Sequence, residues 1–197
     1  TVLDKAGLKI AFLGYSLRPR QYFERAPIYT EGHQDLILRD IKNIRGEVDI
    51  VVASVHWGEE FIQRPSPQEI QLGRQMISAG ADLIIGHHPH VLRGIESYGN
   101  GYIAYSLGNF VCDMVWDDSL RETGIFLCEL SKGGVSDVRV LPCYINDEFQ
   151  PFVLDGARAD DVSKKLEVLS RNIEAEDLSE LDAKRSRYVI DADHAQQ

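Results

Sequence analysis

Cysteine is scarce. Cys112, Cys128 and Cys143 are the only three in 197 residues, too few and too scattered to frame a disulfide-stapled fold. They allow at most one bridge and read as small packed hydrophobes. No stretch reaches the roughly 18 consecutive apolar residues of a membrane-spanning helix, and residues 1 to 20 lack the apolar core of a secretory signal. Basic charge is also short, with 21 Lys and Arg against 31 Asp and Glu, a net of −10. Such a surface repels phosphate backbones, so no nucleic-acid partner is expected, although a local cationic cleft can still hold an anion. What the chain does have is 44% hydrophobic and 26% charged residues, enough to bury a core and too apolar for disorder. Without an internal repeat or a linker, one soluble domain is expected.

Leu8 to Tyr15 (LKIAFLGY) is a short apolar run that reads as a buried strand, and residues 16 to 32, with Pro19, Pro27 and mixed charges, read as a long loop. A helix is predicted from His33 to Arg45, where Leu36, Ile37, Ile41 and Ile44 keep the helical period and Gly46 is placed to end it. Val48 to Val55 (VDIVVASV) is nearly continuous in β-branched and small apolar residues, as in a strand of a parallel sheet buried on both faces. Ser66-Pro67-Gln68-Glu69 then combines an N-cap, a proline at the first helical position and the glutamate of a capping box. That helix stops at Gly80, and Asp82 to Ile85 forms the next strand, completing a strand–helix–strand unit. Hairpins are predicted for 94–98 with 102–107, around Gly99-Asn100-Gly101, and for 123–130 with 135–145, around Gly133-Gly134. A last helix covers 158–175, and a polar tail follows from Glu176.

The strands of this unit end in His56 and in Gly86-His87-His88-Pro89-His90. A right-handed crossover makes them parallel, so both histidine loops leave the carboxyl edge of the sheet, where open α/β folds bind ligands. Imidazole suits zinc, manganese, iron, nickel and copper. His88 and His90 form an alternate pair; in an extended segment residues i and i+2 point the same way, so they could grip one metal or two neighbouring ones. His87 would point elsewhere, toward substrate or a second metal. Glu59, Glu60 and Asp113 are candidate carboxylate helpers. His33 and His194 lie in polar contexts and read as solvated.

The run His56-Trp57-Gly58-Glu59-Glu60, then Arg64-Pro65-Ser66-Pro67, Gly80-Ala81-Asp82, Gly86-His87-His88-Pro89-His90-Val91 and Tyr105-Ser106-Leu107-Gly108-Asn109-Phe110 resembles the poly-gamma-glutamate capsule biosynthesis (CapA-like) family. That family is similar to a branch of the calcineurin-like metallophosphoesterases. The resemblance implies an α/β fold, an α/β/β/α sandwich around a dinuclear site holding two divalent ions (manganese, zinc or iron). It implies His56, His88 and His90 as metal ligands and His87, Asn109 and Glu60 as the catalytic group. In that group His87 is a ligand or proton donor, and Asn109 and Glu60 orient ligands or substrate. The family's earlier Gly-Asp, Asn-Leu-Glu and Asn-Asn-His stretches are not among these residues. The fold is therefore expected to be incomplete, with 1–157 as the C-terminal part of the domain, 158–197 as its helix and tail, and an N-terminal half missing.

The function so implied is capsule biosynthesis by a metal-dependent phosphoesterase-like hydrolase, with a phosphoester or an anionic polymer as substrate. A second reading is a non-catalytic cell-surface factor that binds or transfers an anionic capsule polymer. A structural zinc site is disfavoured, because such sites prefer cysteine-rich closed sets. Family members suggest the cell envelope, on the outer face of the cytoplasmic membrane, with a membrane tether in the full-length protein.

Overall fold

The computed structural model describes residues 1–17, 30 and 32–173. Most of the expected loop over 16–32 lies outside these residues, as do His194 and the polar tail. The strand–helix–strand unit is present as β3 (Ile50–His56), α2 (Pro67–Ala79) and β4 (Leu83–His87), preceded by β1 (Val2–Lys5), β2 (Leu8–Ser16) and α1 (Gln34–Arg45). With β5 (Ile95–Tyr98) and β6 (Gly101–Ala104), the strands form one sheet in the order β1-β2-β3-β4-β6-β5. Strands β2, β3, β4 and β6 run parallel, while β1 and β5 pair antiparallel at the two edges.

Alternation along β3 sorts the core into two layers. Val51, Ala53 and Val55 pack with Ile37 and Ile41 of α1 and with Ile70, Leu72, Met76 and Ile77 of α2. Ile50 and Val52 face the other way, with Ile10 and Leu83, and meet Phe126, Cys128, Leu130 and Val135. These last residues belong to a second, antiparallel sheet of β7 (Glu122–Ser131), β8 (Gly134–Ile145) and β9 (Pro151–Val153). Ile37 and Ile41 are fully buried, each contributing about 1.5–3 kcal/mol relative to exposure. A four-residue α3 (Asp118–Arg121) precedes β7, and α4 (Gly156–Arg171) packs through Val162 against Leu92, Tyr144 and Leu154.

Helix α2 starts as its sequence dictates. Ser66 accepts from the Glu69 amide, the Glu69 side chain accepts from the Ser66 amide, and Gly80 caps the far end at φ 117°. At the end of α1, the Arg45 guanidinium binds Asp82 and the carbonyls of Val48, Asp49 and Gly80, fixing the starts of β3 and β4.

Several expectations shift. The strand expected over Leu8 to Tyr15 runs on to Ser16 and is preceded by β1, which pairs with it across a tight Ala6-Gly7 turn, both residues at positive φ. The first hairpin turns on Gly99-Asn100, since Tyr98 pairs with Gly101, and it extends the main sheet. The second turns on Lys132-Gly133, since Ser131 pairs with Gly134. Helix α4 ends at Arg171, short of the expected 175, although Ile173 beyond it is buried in the α1/α2 core. All three cysteines are free thiols, Cys143 being buried.

Candidate metal centre

The carboxyl edge of the parallel strands carries the histidines. His56 closes β3, His87 closes β4, and the two are register partners. The next amide, of Trp57, donates to the His87 carbonyl at 3.0 Å, locking the two strand ends together. Two glycines are required here. A Cβ at Gly86 would collide with the Tyr105 carbonyl and the Trp57 indole nitrogen, which hydrogen-bond each other. Gly58 sits at φ 85°, and a Cβ there would strike the Glu69 carboxylate and the Arg93 guanidinium.

Beyond β4 the backbone does not stay extended. His88 has φ 100° and His90 φ 63°, in the left-handed half of backbone space that residues with a Cβ seldom occupy. The i, i+2 alternation of an extended segment is therefore not what unites these two residues. Their rings nonetheless converge, edge-on with centroids 5.8 Å apart. Glu60, His88 and His90 each bring a donor atom to within 4.8 Å of the others, and His88 Nε2 lies 3.9 Å from Glu60 Oε1. His88 is buried, His90 half-buried and Glu60 exposed. Two imidazoles and a carboxylate suit zinc, manganese or iron, and three protein donors leave room for water or substrate.

The remaining expected residues take distinct places. The His56 ring lies 4.6 Å from that of His88, tilted by 36°, beside the three-donor group. His87, on the same face of the sheet as His56, is outside the group. Much of its surface meets solvent, yet the protein packed around the ring pushes its pKa below the ordinary histidine value. Asn109 is buried. Its Oδ1 faces His90 Nδ1 at 2.7 Å, and its Nδ2 donates to the Leu120 carbonyl at 3.1 Å. Glu60 stands among the potential ligands themselves, whereas its expected role was to orient them. Neither Glu59 nor Asp113 joins a three-donor group among the described residues.

Sequence reasoning missed Arg93. It is fully buried, pairs with Glu69, and donates to the carbonyls of Ile62 at 2.6 Å and Glu59 at 3.1 Å. It thereby grips the loop on both sides of Glu60. A lone arginine inside the apolar run Val91-Leu92-Arg93-Gly94-Ile95 is the signal that could have revealed it, because buried charges require partners.

Fold and site together define an α/β protein with a histidine–carboxylate group that could hold a metal ion at the carboxyl edge of a parallel sheet. Residues 1–114 match the family model described as bacterial capsule synthesis protein PGA_cap. The chain is 35% identical over 152 residues to the capsule biosynthesis protein CapA of Bacillus anthracis, covering 72% of this chain and 36% of that relative. It is 37% identical over 144 residues to the PGA biosynthesis protein CapA of Bacillus subtilis, covering 72% and 38%. A probable polyglutamine synthesis accessory protein of Mycobacterium tuberculosis is 30% identical over 150 residues, covering 73% and 39%. The chain belongs to the bacterial capsule synthesis protein PGA_cap family. It spans little more than a third of the length of these relatives.

Proposed function

We propose that this chain serves capsule biosynthesis through a metal-dependent, phosphoesterase-like hydrolytic site acting on a phosphoester or on the anionic polymer. The observation that carries the reading is the convergence of Glu60, His88 and His90, with Asn109 fixing the far nitrogen of His90. Those three would hold a divalent ion, with His56 beside His88 as a further ligand for it or for a second ion. Bound there, such an ion supplies Lewis acidity and lowers the pKa of a coordinated water. His87, on the solvent-facing side, would bind substrate or hand a proton to a leaving group, and Asn109 would keep His90 oriented.

The finer fold reading is a metallophosphoesterase-type α/β/β/α sandwich that further polypeptide completes, in the same chain or a partner. Helices α1 and α2 on one face and the β7–β8 hairpin on the other support it. So does the uncovered part of the hairpin-side face, where Phe12, Ser54 and His87 are exposed beside Leu3 of the edge strand. The family's association with capsule favours the cell envelope, outside the cytoplasmic membrane. No helix among the described residues is long and apolar enough to cross a membrane.

A non-catalytic role in binding or transferring the polymer is the second reading, favoured by the word "accessory" in the name of the mycobacterial relative. The two separate in one experiment. Metal content and hydrolysis of a generic phosphodiester are measured for the manganese-, zinc- and iron-loaded protein and for the His88→Ala/His90→Ala variant. The hydrolytic reading expects metal-dependent turnover that the double variant loses together with its metal. Undiminished turnover in that variant would refute the ligand assignment, and polymer binding without turnover would leave the second reading.

A further inference from the structure

Glu60 is the most exposed of the three donors. Its side chain keeps 38% of its surface in solvent, against 3% for His88, so little packing surrounds the carboxylate. Its loop, by contrast, is tied to one buried group. The fully buried Arg93 guanidinium donates from Nε to the Ile62 carbonyl at 2.6 Å and from Nη2 to the Glu59 carbonyl at 3.1 Å, while Nη1 pairs with Glu69. The Phe61 amide adds a second tie, to the Pro89 carbonyl at 2.8 Å.

These contacts differ in what they achieve. A buried ion pair is a poor stabiliser, because desolvating two charges offsets most of their attraction, and apolar side chains of similar volume often serve as well. The pair with Glu69 therefore does not by itself account for an arginine at this position. The two carbonyls do. Nε and Nη2 belong to one rigid planar fork, so they set the separation of the carbonyls that flank Glu60 and Phe61. A lysine ammonium is a single point on a flexible stem and does not impose that spacing. Gly58 lies against the same pair, since a Cβ there would strike Glu69 Oε1 and Arg93 Nη1.

We infer that Arg93 is a positioning residue for the metal centre: through the carbonyls on either side of Glu60 it holds that carboxylate within reach of His88 and His90. The carboxylate's share of metal affinity then depends on a side chain that is not itself a donor. This rests on the metal-centre reading proposed above and deepens it. A ligand on an unclamped loop has to be ordered when the ion binds, and that ordering weakens binding; the clamp completes it during folding.

The test compares the wild type with Arg93→Lys, which keeps a cation beside Glu69, and with Arg93→Met/Glu69→Gln, which strands no charge. Each is made with and without Glu60→Gln. Chelator competition reads the affinity for zinc and manganese, hydrogen exchange of the Phe61 amide in metal-free protein reads the order of the loop, and the melting temperature reads folding. Both Arg93 variants should exchange faster at Phe61 and bind metal about tenfold or more weakly. Neither should lose further affinity once Glu60→Gln is present, because a residue that acts through Glu60 is not additive with it. An arginine that only stabilises the fold would lower the melting temperature and leave that cycle additive. Unchanged exchange or unchanged affinity in a folded Arg93 variant, or equal losses with and without Glu60→Gln, overturns the positioning role. Wild type that binds no metal, or a His88→Ala/His90→Ala variant that binds it as tightly, refutes the metal-centre reading and this inference with it. Histidine-dependent binding that ignores Arg93 refutes the positioning role alone.

Discussion

Replacing Asn109 by Leu tests the metal centre through a residue that is not itself a ligand. Asn109 is 8% exposed. Its Nδ2 faces the Leu120 carbonyl, which can only accept, so the amide oxygen must be the end that meets His90. His90 therefore carries its proton on Nδ1, which donates to Asn109 Oδ1, and Nε2 offers its lone pair to the metal-binding group. Leucine has similar volume but leaves both the His90 N–H and the Leu120 carbonyl unpaired, at about 1–3 kcal/mol each. Loss of the fixed tautomer should weaken metal binding about 10–100-fold. Competition with a chromogenic chelator reads the affinity for zinc or manganese, urea denaturation reads the stability, and imidazole ¹⁵N shifts read the tautomer. Asn109→Asp separates the two effects, because it keeps an oxygen toward His90 while setting a second oxygen against the Leu120 carbonyl. That variant should lose stability and retain the Nδ1–H tautomer. The reasoning fails if Asn109→Leu binds metal like the wild type, or if metal-free wild type carries the His90 proton on Nε2.

Arg93→Met should destabilise the fold by about 3–5 kcal/mol in urea denaturation, since it strands the buried Glu69 carboxylate; adding Glu69→Gln should recover part of that loss, and additive losses would contradict the pairing. His88→Gly should be more stable than His88→Ala by about 1 kcal/mol, because glycine accepts φ 100° without a Cβ penalty; equal denaturation midpoints would show that the backbone there is unstrained.

Much of the scaffold was legible because its signals are local. Ser66, Pro67 and Glu69 announce the start of α2 through their own hydrogen bonds, and the β-branched run before His56 can be satisfied only between two covered faces. Strand β1 was not legible, since Val2-Leu3-Asp4-Lys5 has no alternation and all four residues remain exposed. It exists because the Ala6-Gly7 turn folds it onto β2. The site divides in the same way. The histidines stood out by their density, and Asn109 by its motif. Glu60 as a ligand depends on the backbone reversal at Phe61, φ 64°, and Arg93 reaches Glu59 and Ile62 from more than thirty residues away. The first leaves no mark in nearby sequence, and the lone arginine in an apolar run marks the second only as buried, without saying what it grips.

The backbone strain at this edge is held in place by contacts between the loops themselves. Phe61, His88 and His90 all sit at positive φ, two of them in the donor group and the third adjoining Glu60. Each such conformation costs about 1–3 kcal/mol and persists only when its surroundings over-determine it. Here the two strained loops hold each other. The Phe61 amide donates to the Pro89 carbonyl at 2.8 Å, between His88 and His90, and the Phe61 ring lies 6.0 Å from that of His90. Arg93 clamps the carbonyls on either side of Glu60 and is itself neutralised by Glu69, which also caps α2. Relaxing either loop would break the Phe61–Pro89 hydrogen bond that the other relies on, and freeing Glu60 would also take from Arg93 the Ile62 and Glu59 carbonyls that its Nε and Nη2 donate to. The capping box that starts α2 and the carboxylate that faces the metal site are therefore one mechanical unit, which links the most local signal in the sequence to the least local feature of the site.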